Sequence, residues 1–189
     1  MKLILCDRNS RLCDEWALRF KDCEDVIVKH DTFENVEDYD CLVSPANSFG
    51  LMDGGIDLAI TNYFGNQLQK RVQQRISAYY YGEQPVGTCM IVETDNEKHP
   101  YLAHTPTMRV PSNIRNTDNV YNAMRAMLRA VAGNHNIKTV LCPGLGTGIG
   151  DVSPVMAAYQ MWLAYARFKH PLPINWDNAG RIQEAVWGY

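Results

Sequence analysis

Short apolar runs rich in β-branched residues alternate along this chain with longer segments whose apolar residues recur every three or four positions. The first run is KLILC, residues 2–6, and a helical pattern follows over 10–20, with Leu12, Trp16 and Phe20 spaced by four. Strands that alternate with helices are typical of parallel sheets covered by helices on both faces. We therefore predict an α/β fold, a three-layer α/β/α sandwich with a mixed, mostly parallel central sheet.

The rest of the chain continues this alternation. Further strands are predicted at VIVKH (26–30), DCLVSP (40–45), GTCMIVET (87–94), PYLAHTPT (100–107) and KTVLCPGL (138–145). Helices are predicted at 56–80, with a break near Gly65, at 119–135 and at 152–168, the last capped by Asp151 or Ser153. The tail, 170–189, predicts a short helix that packs on the body. A length of 189 residues without a repeat or a linker predicts a single domain over 1–189.

Charge and composition argue against several classes of function. The net charge is -3 and lysine and arginine are not clustered, whereas a protein that binds a nucleic-acid backbone needs a basic surface. The apolar run before Asp7 is too short for a signal peptide, and no segment approaches a membrane span. The six cysteines lack CxxC spacing, which argues against disulfides and zinc. We expect a cytoplasmic protein with no metal and no cofactor.

Two glycine-rich loops follow predicted strands and are the candidate binding segments. The first covers 44–57, SPANSFGLMDGGID, and the second covers 143–152, PGLGTGIGDV. Glycines let backbone N–H groups approach an anion closely, and the helix that follows adds its positive end. Loops at the carboxyl ends of parallel strands lie at one edge of the sheet. Together they predict a diphosphate site, although either loop alone is equally well explained as a turn.

Two common phosphate-binding motifs are absent. Gly50 and Gly55 have the spacing of a Walker A loop, but Ile56 stands where that loop requires lysine. A GxGxxG fingerprint would need glycine at 149 or 151, where the chain has Ile149 and Asp151. Any phosphate site must therefore be of another kind.

The run VSPANSFGLMDGGIDLAI (43–60) resembles the first signature of the macro domain family, an NAAN-type segment followed by glycines and a helix that begins V/I-D-x-A-I. PGLGTGIG (143–150) is similar to the second signature, a P-x-[IL]-x-TG-[IV] loop. The strands between the two loops also follow the family order, so the resemblance covers roughly residues 25–168. The form of the first loop is more similar to a bacterial and bacteriophage subgroup of the family than to its human members.

The resemblance implies ADP-ribose as the ligand. Asp31 would accept a hydrogen bond from the adenine amino group, and Asn47 would contact the distal ribose. Gly54, Gly55 and Ile56 would bind one phosphate through N–H groups, and Thr147, Gly148 and Ile149 the other. The implied binding set is completed by further loop residues, namely Ala46, Ser48, Phe49, Gly144, Gly146 and Gly150.

The same residues also have structural interpretations. Asp31 follows a strand and is equally typical of a turn or a helix cap, and a loop asparagine such as Asn47 often satisfies its own turn. Asp57 matches the acid that MacroD-like hydrolases place beside the scissile bond, where it could orient or activate water. In the first turn of a helix it would also complement the helix dipole. We retain Asn47 and Asp57 as candidate catalytic residues.

Several positions depart from the family pattern. Thr61 stands where the MacroD-like pattern has histidine, and Gly150 replaces the usual aromatic residue. Asp53 and Asp151 replace loop glycines, and a carboxylate near a diphosphate would repel it, so we expect both side chains to point outward. His104 is expected to be an ordinary core histidine.

Three functions remain open from the sequence. The first is a hydrolase that releases ADP-ribose from a modified protein, nucleic acid or metabolite such as an acetylated or phosphorylated derivative. The second is a module that recognises ADP-ribose without chemistry, which Thr61 favours. The third is a structural protein that has kept only the fold and binds no ADP-ribose.

Overall fold

The computed structural model describes residues 1–187, and its elements confirm the predicted α/β pattern. The strands are β1 (Lys2–Asp7), β2 (Val26–His30), β3 (Cys41–Ser44), β4 (Met90–Glu93), β5 (Tyr101–His104) and β6 (Thr139–Cys142). The helices are α1 (Ser10–Arg19), α2 (Gly55–Phe64), α3 (Gln67–Tyr80), α4 (Asn119–Ala132), α5 (Pro154–Lys169) and α6 (Trp176–Trp187). A 3-10 helix, Phe33–Asn35, lies between β2 and β3.

The six strands form one mixed sheet in the order β2-β1-β6-β3-β5-β4. Every neighbouring pair is parallel except β4 and β5, which are antiparallel and align Met90 with His104. The carboxyl ends of β1, β2, β3, β5 and β6 therefore lie at the same edge of the sheet. In the register of the central strands, Ser44 at the end of β3 is beside His104 at the end of β5.

Helices cover both faces of the sheet, which confirms the three-layer sandwich. Successive residues of a strand point to opposite faces, so each strand contributes to two cores. Leu3 and Val43 belong to the core that contains α1, α4 and α5. Ile4 and Leu42 belong to the core under α2 and α3. The central strands β1, β3, β5 and β6 are buried on both faces, which explains their nearly continuous apolar sequences.

Local signals set the ends of the helices. The predicted break near Gly65 is confirmed, because Gly65 ends α2 with a φ of 92°, a conformation that glycine adopts without strain. Ser153 rather than Asp151 caps α5, and its side chain accepts a hydrogen bond from the Met156 N–H at 3.3 Å. Pro154 occupies the first turn, where no N–H partner is needed.

Several predicted elements are longer than those observed, including the strands predicted at 100–107 and 138–145, which end at His104 and Cys142. The causes are clearest for β4 and α4. β4 begins at Met90 rather than at 87, because Pro85 and Gly87 form a turn in which the Thr88 N–H donates to the Pro85 carbonyl at 3.3 Å. α4 ends at Ala132 rather than at 135, because the N–H of Gly133 closes the last turn onto Arg129 at 3.2 Å.

The predicted final helix is α6, and it lies against α5. The Tyr159 hydroxyl donates to the Ala185 carbonyl at 2.9 Å, and Val186 is buried. Residues 188–189, the end of the predicted tail, lie outside the described residues. Among the described helices, none is both long and apolar enough to cross a bilayer.

Candidate functional site

A cleft of about 490 Å³ opens at the carboxyl edge of the parallel strands. Both glycine-rich loops line it, together with the ends of β1 and β2, which confirms that the two loops meet in space. Most of the predicted site residues lie on its wall, namely Asp31, Ala46, Asn47, Gly54, Gly55, Ile56, Asp57, Gly144, Gly146, Thr147, Gly148, Ile149 and Gly150. Its volume falls in the range of pockets that hold small ligands.

The Asn47 side chain organises the first loop. Its Oδ1 accepts the N–H groups of Phe49 at 3.0 Å and Leu51 at 3.3 Å, and its Nδ2 donates to the Leu51 carbonyl at 2.7 Å. The structural role considered for Asn47 is therefore present. Its remaining amide hydrogen leaves room for a contact with a ligand, because an asparagine amide has two N–H donors.

Glycine is required at position 50 of the same loop. Gly50 has a φ of 62°, and a Cβ there would lie 2.6 Å from Val72 Cγ1. The loop is thus held close against α3, and the Met52 N–H donates to Gln69 Oε1 of that helix at 2.8 Å. These contacts fix the path of the chain into α2.

The N-terminus of α2 faces the cleft through Gly54, Gly55 and Ile56. In the described part of the chain, the N–H groups of Gly55 and Ile56 donate to no protein acceptor, as expected for the first turn of a helix. A Cβ at either glycine would meet nothing within 4 Å, so the space beside this turn is open. The turn therefore has the features of an anion-binding site.

Asp57 lies in the same first turn and is buried, with 7% of its surface exposed. Ser44 Oγ donates to its Oδ1 at 2.7 Å. Burial raises the pKa of Asp57 to about 6; the Ser44 hydrogen bond opposes this rise, and the nearby Asp53 carboxylate adds to it. A carboxyl group with this pKa can exchange a proton near neutral pH, which is what a general base requires.

Thr61, one turn further along α2, does not supply the chemistry of a histidine. Its hydroxyl is buried, lies 2.9 Å from the Asp57 carbonyl and 3.3 Å from the Met52 carbonyl, and donates to them. Thr61 thus joins α2 to the first loop and leaves Asp57 as the titratable side chain on this part of the wall.

Asp7, the last residue of β1, fixes the start of the second loop by a hydrogen bond. Asp7 Oδ2 accepts the Gly144 N–H at 3.0 Å, and its Oδ1 accepts the Asn9 N–H at 2.9 Å. Gly144 therefore uses its N–H inside the protein and lies so close to Asp7 that a Cβ would be 2.8 Å from Oδ2. Gly144 lines the cleft as a packing residue.

The turn beyond Gly144 is compact and faces the cleft opposite α2. The Val152 N–H donates to the Gly146 carbonyl at 3.1 Å, and the Asp151 N–H donates to the Gly148 carbonyl at 3.0 Å. A Cβ at Gly150 would lie 2.5 Å from the Gly146 carbonyl oxygen, so this backbone admits no side chain there. In the described residues, the N–H groups of Thr147 and Gly148 donate to no protein acceptor.

The two unusual acids of the loops differ in position. Asp151 is outside the cleft wall and pairs with Arg115 and with Asn113 Nδ2, the latter at 2.9 Å, which agrees with its expected outward direction. The expectation of an outward direction is wrong for Asp53, which is exposed but lies on the cleft wall, close enough for its carboxylate to raise the pKa of Asp57.

Asp31 lies at the other end of the cleft, after β2. Its Oδ1 accepts the Thr32 N–H and Asn35 Nδ2, both at 2.7 Å, and these hydrogen bonds lower its pKa. Of the two structural roles considered for Asp31, the turn is present, whereas the cap is not, because the N-cap of the 3-10 helix is Thr32 and has no side-chain hydrogen bond. Oδ2 is the oxygen left for a ligand. Phe33 lies on the adjoining wall and packs edge-on against Tyr63.

Ser48 and Phe49, although part of the implied binding set, are not on the cleft wall. The Ser48 N–H donates to the carbonyls of Met108 and Arg109, both at 3.1 Å, and its hydroxyl is buried. Ser48 therefore joins the first loop to the segment after β5.

Other wall residues were not anticipated from the sequence. They come mainly from the ends of β1 and β5 and the turn after β2, namely Cys6, Asp7, Arg8, Thr32, Phe33, Glu34, Leu51, Asp53, Thr107, Met108 and Pro111. The rule that ligands bind beyond the carboxyl ends of parallel strands could have indicated Asp7 and Arg8, since β1 is the first strand.

His104 is buried, which agrees with the expected core histidine. Its Nδ1 is 2.7 Å from Gln84 Oε1, and burial lowers its pKa to about 3, so the ring is neutral. Among the described residues its Nε2 has no hydrogen-bond partner.

The fold and the cleft define a class, an α/β/α domain in which parallel strands present two glycine-rich loops to one cleft. A family model described as Macro domain matches residues 43–161, which include both loops, and the chain belongs to the macro domain family. This finding confirms the resemblance drawn from the sequence.

Relatives and solved structures agree with this assignment. An uncharacterised protein of Aquifex aeolicus is 33% identical over 124 residues, 66% of this chain and 71% of that protein. The macrodomain of Mycobacterium tuberculosis DarG is similar with a TM-score of 0.58 and 22% identity, over 71% of this chain and 84% of that one. The Oceanobacillus iheyensis macrodomain with ADP gives a TM-score of 0.60 and 22% identity, over 79% and 84%.

A mutant of the same Oceanobacillus iheyensis macrodomain, in a structure with ADPR, gives a TM-score of 0.60 and 20% identity over 78% of this chain and 84% of that one. At these identities the structures confirm the fold. The ADP and ADPR in those structures are ligands of the Oceanobacillus iheyensis macrodomain.

Proposed function

We propose that this protein binds ADP-ribose in the cleft between its two glycine-rich loops. The observation that carries the proposal is a pair of turns on the cleft wall whose N–H groups have no acceptor within residues 1–187. They are those of Gly55 and Ile56 in one turn and of Thr147 and Gly148 in the other. Such groups bind phosphate oxygens by charge-assisted hydrogen bonds. A diphosphate would lie between them.

The two ends of the cleft suit the two ends of ADP-ribose, which are adenosine and the distal ribose. At one end, the free Oδ2 of Asp31 can accept a hydrogen bond from the adenine amino group. At the other end, Asn47 and Asp57 lie beside the first glycine turn and can reach the hydroxyls of the distal ribose. Three groups would therefore recognise ADP-ribose: the Asp31 carboxylate at the adenine, the two glycine-rich turns at the diphosphate, and the Asn47 amide at the distal ribose.

We further propose hydrolysis of a bond at C1″ of the distal ribose. Water would attack C1″ as its proton passes to the Asp57 carboxylate, and the bond from C1″ to the attached group would break, the leaving group gaining a proton from solvent. Two observations support this: Asp57 lies on the cleft wall with a pKa of about 6, and its Oδ2 accepts no hydrogen bond from the described part of the protein. The attached group would be a protein side chain or a small metabolite.

A binding module without chemistry is the alternative. Thr61 offers no second acid or base beside Asp57, because its hydroxyl donates to backbone carbonyls. One of the two Asn47 amide hydrogens is also used by its own loop. These contacts favour slow turnover or none.

Other features of the protein are proposed on the same basis. The form of the first loop supports a bacterial or bacteriophage-like subgroup of the family, and a single domain over 1–189 accords with the contact of α6 on α5.

Calorimetric titration with ADP-ribose, with AMP and ADP as controls, tests the binding proposal. We expect micromolar affinity for ADP-ribose, much weaker binding of AMP, and weaker binding by Asn47→Ala. Because Asn47 also orders its loop, Asp31→Asn is a second variant that leaves the first loop intact. An absence of heat and saturation with wild-type protein would refute the proposal.

Turnover then separates the enzyme from the binding module. Release of ADP-ribose from mono-ADP-ribosylated protein and from phosphorylated or acetylated ADP-ribose is measured with wild type and Asp57→Ala. A hydrolase loses turnover in the variant and keeps binding, whereas a binding module shows no turnover in either protein.

A further inference from the structure

We infer that Ser44 is a positioning residue for Asp57: its hydroxyl directs one carboxylate oxygen away from the cleft, leaves the other oxygen facing it, and favours the ionised form. The catalytic meaning of this inference rests on the proposed hydrolysis. The contact itself can be tested without turnover.

The geometry of the contact is specific. Ser44 is the last residue of β3 and is fully buried, and its side chain points to the face of the sheet that α2 covers. Its Oγ donates to Asp57 Oδ1 at 2.7 Å, whereas Ser44 itself is not on the cleft wall. Because Oδ1 is held by the strand, Oδ2 is the oxygen that a water in the cleft can reach.

The hydroxyl also acts on the charge of Asp57. Burial and the Asp53 carboxylate both favour the neutral acid, and the Ser44 hydrogen bond favours the carboxylate. The other charged side chains of the cleft wall, Asp7, Arg8, Asp31 and Glu34, are not among the causes of the raised Asp57 pKa, whereas Asp53 is. Ser44 is therefore the donor that opposes protonation, and a bound diphosphate would increase the need for it.

This arrangement predicts a change in pH dependence when the hydroxyl is removed. In Ser44→Ala the pKa of Asp57 should rise from about 6 to about 7, since a charge-assisted hydrogen bond contributes roughly one pKa unit or more. Turnover should then fall about ninefold at pH 5 and remain nearly unchanged at pH 8, because only the ionised fraction changes. KM should stay the same, because Ser44 is not on the cleft wall.

The experiment combines a direct titration with a rate profile. The carboxyl carbon of Asp57 is titrated by ¹³C NMR in wild type, Ser44→Ala and Ser44→Thr, and kcat and KM are measured from pH 5 to 8. Thr105→Val is the matched control, because it also removes a buried hydroxyl. The Thr105 Oγ1 lies 3.1 Å from the carbonyl oxygens of both Thr88 and Ala123, to which it donates. Thr105 directly follows β5, and its hydroxyl does not bond to Asp57 in the described residues.

The expected result is a higher Asp57 pKa and a matching shift of the rate profile in Ser44→Ala, with neither in Thr105→Val and with Ser44→Thr close to wild type. An unchanged Asp57 pKa in Ser44→Ala would overturn the inference even if the wild type is active. A Ser44-dependent pKa in a protein that never turns over would support the contact and refute the hydrolase.

Discussion

Replacing Asp57 with Asn should make the folded protein more stable at neutral pH while ending turnover. The side chain is buried, and burial raises its pKa from 3.8 to about 6. A difference of this size between the folded and unfolded states corresponds to about 3 kcal/mol at pH values above both. Asn is neutral and of similar shape, so the variant avoids the desolvation of a charge at this position.

The stability difference should depend on pH in a defined direction. Between pH 3.8 and about 6, the folded state keeps a proton that the unfolded chain has lost, so the free energy of unfolding of the wild type falls as pH rises. Below this window Asp57 is neutral in both states and the variant gains nothing. We expect a difference of about 0.5 kcal/mol at pH 4 and about 3 kcal/mol at pH 8.

Urea denaturation of wild type and Asp57→Asn at pH 4, 5, 6, 7 and 8 measures this difference. Asp14→Asn, which removes an exposed carboxylate from α1, is the matched control and should show little difference at any of these pH values. A variant that is less stable than wild type at pH 8, or a difference that does not change with pH, would contradict the assignment of a buried, desolvated carboxylate.

Three further substitutions test the cleft wall and the first loop. Asp53→Asn removes a rim carboxylate, so ADP-ribose should bind about two- to fivefold more tightly by calorimetry, with less gain at high salt. Gly50→Ala should lower the free energy of unfolding by about 2 kcal/mol or more, because its φ is 62° and the new Cβ would meet Val72; an unchanged urea midpoint would refute this. Asp31→Asn should weaken ADP-ribose and ADP by a similar factor, about tenfold, whereas loss of ADP-ribose binding alone would place Asp31 elsewhere on the ligand.

Much of the fold could be predicted because local sequence and tertiary environment agree. VIVKH was predicted as a strand over 26–30 and β2 has the same bounds, since its β-branched residues suit a strand and polar residues flank it. The break at Gly65 was visible for a similar reason, because glycine both weakens a helix and adopts positive φ without strain. Boundaries were less predictable where a turn competed with the strand, as at Gly87 before β4.

The cleft was predictable only in part, because its wall is built by strand order as well as by loops. The two glycine-rich loops carry local signals, and the structure brings them together. Cys6 and Arg8 reach the wall because β1 is next to β6, an adjacency that no local pattern encodes. The hydrogen bond from Gly144 to Asp7 joins residues 137 positions apart and changes the role of that glycine.

Asp57 illustrates how one residue can satisfy two interpretations that the sequence could not separate. In the first turn of α2 it complements the helix dipole, and in the same position it faces the cleft beside the free N–H groups. A carboxylate that only complemented the helix dipole would cost less free energy at the surface, where it stays hydrated, than in a buried position. The burial of Asp57 and its hydrogen bond to Ser44 serve no helix cap, and they are the reason to expect that the carboxylate acts on a ligand.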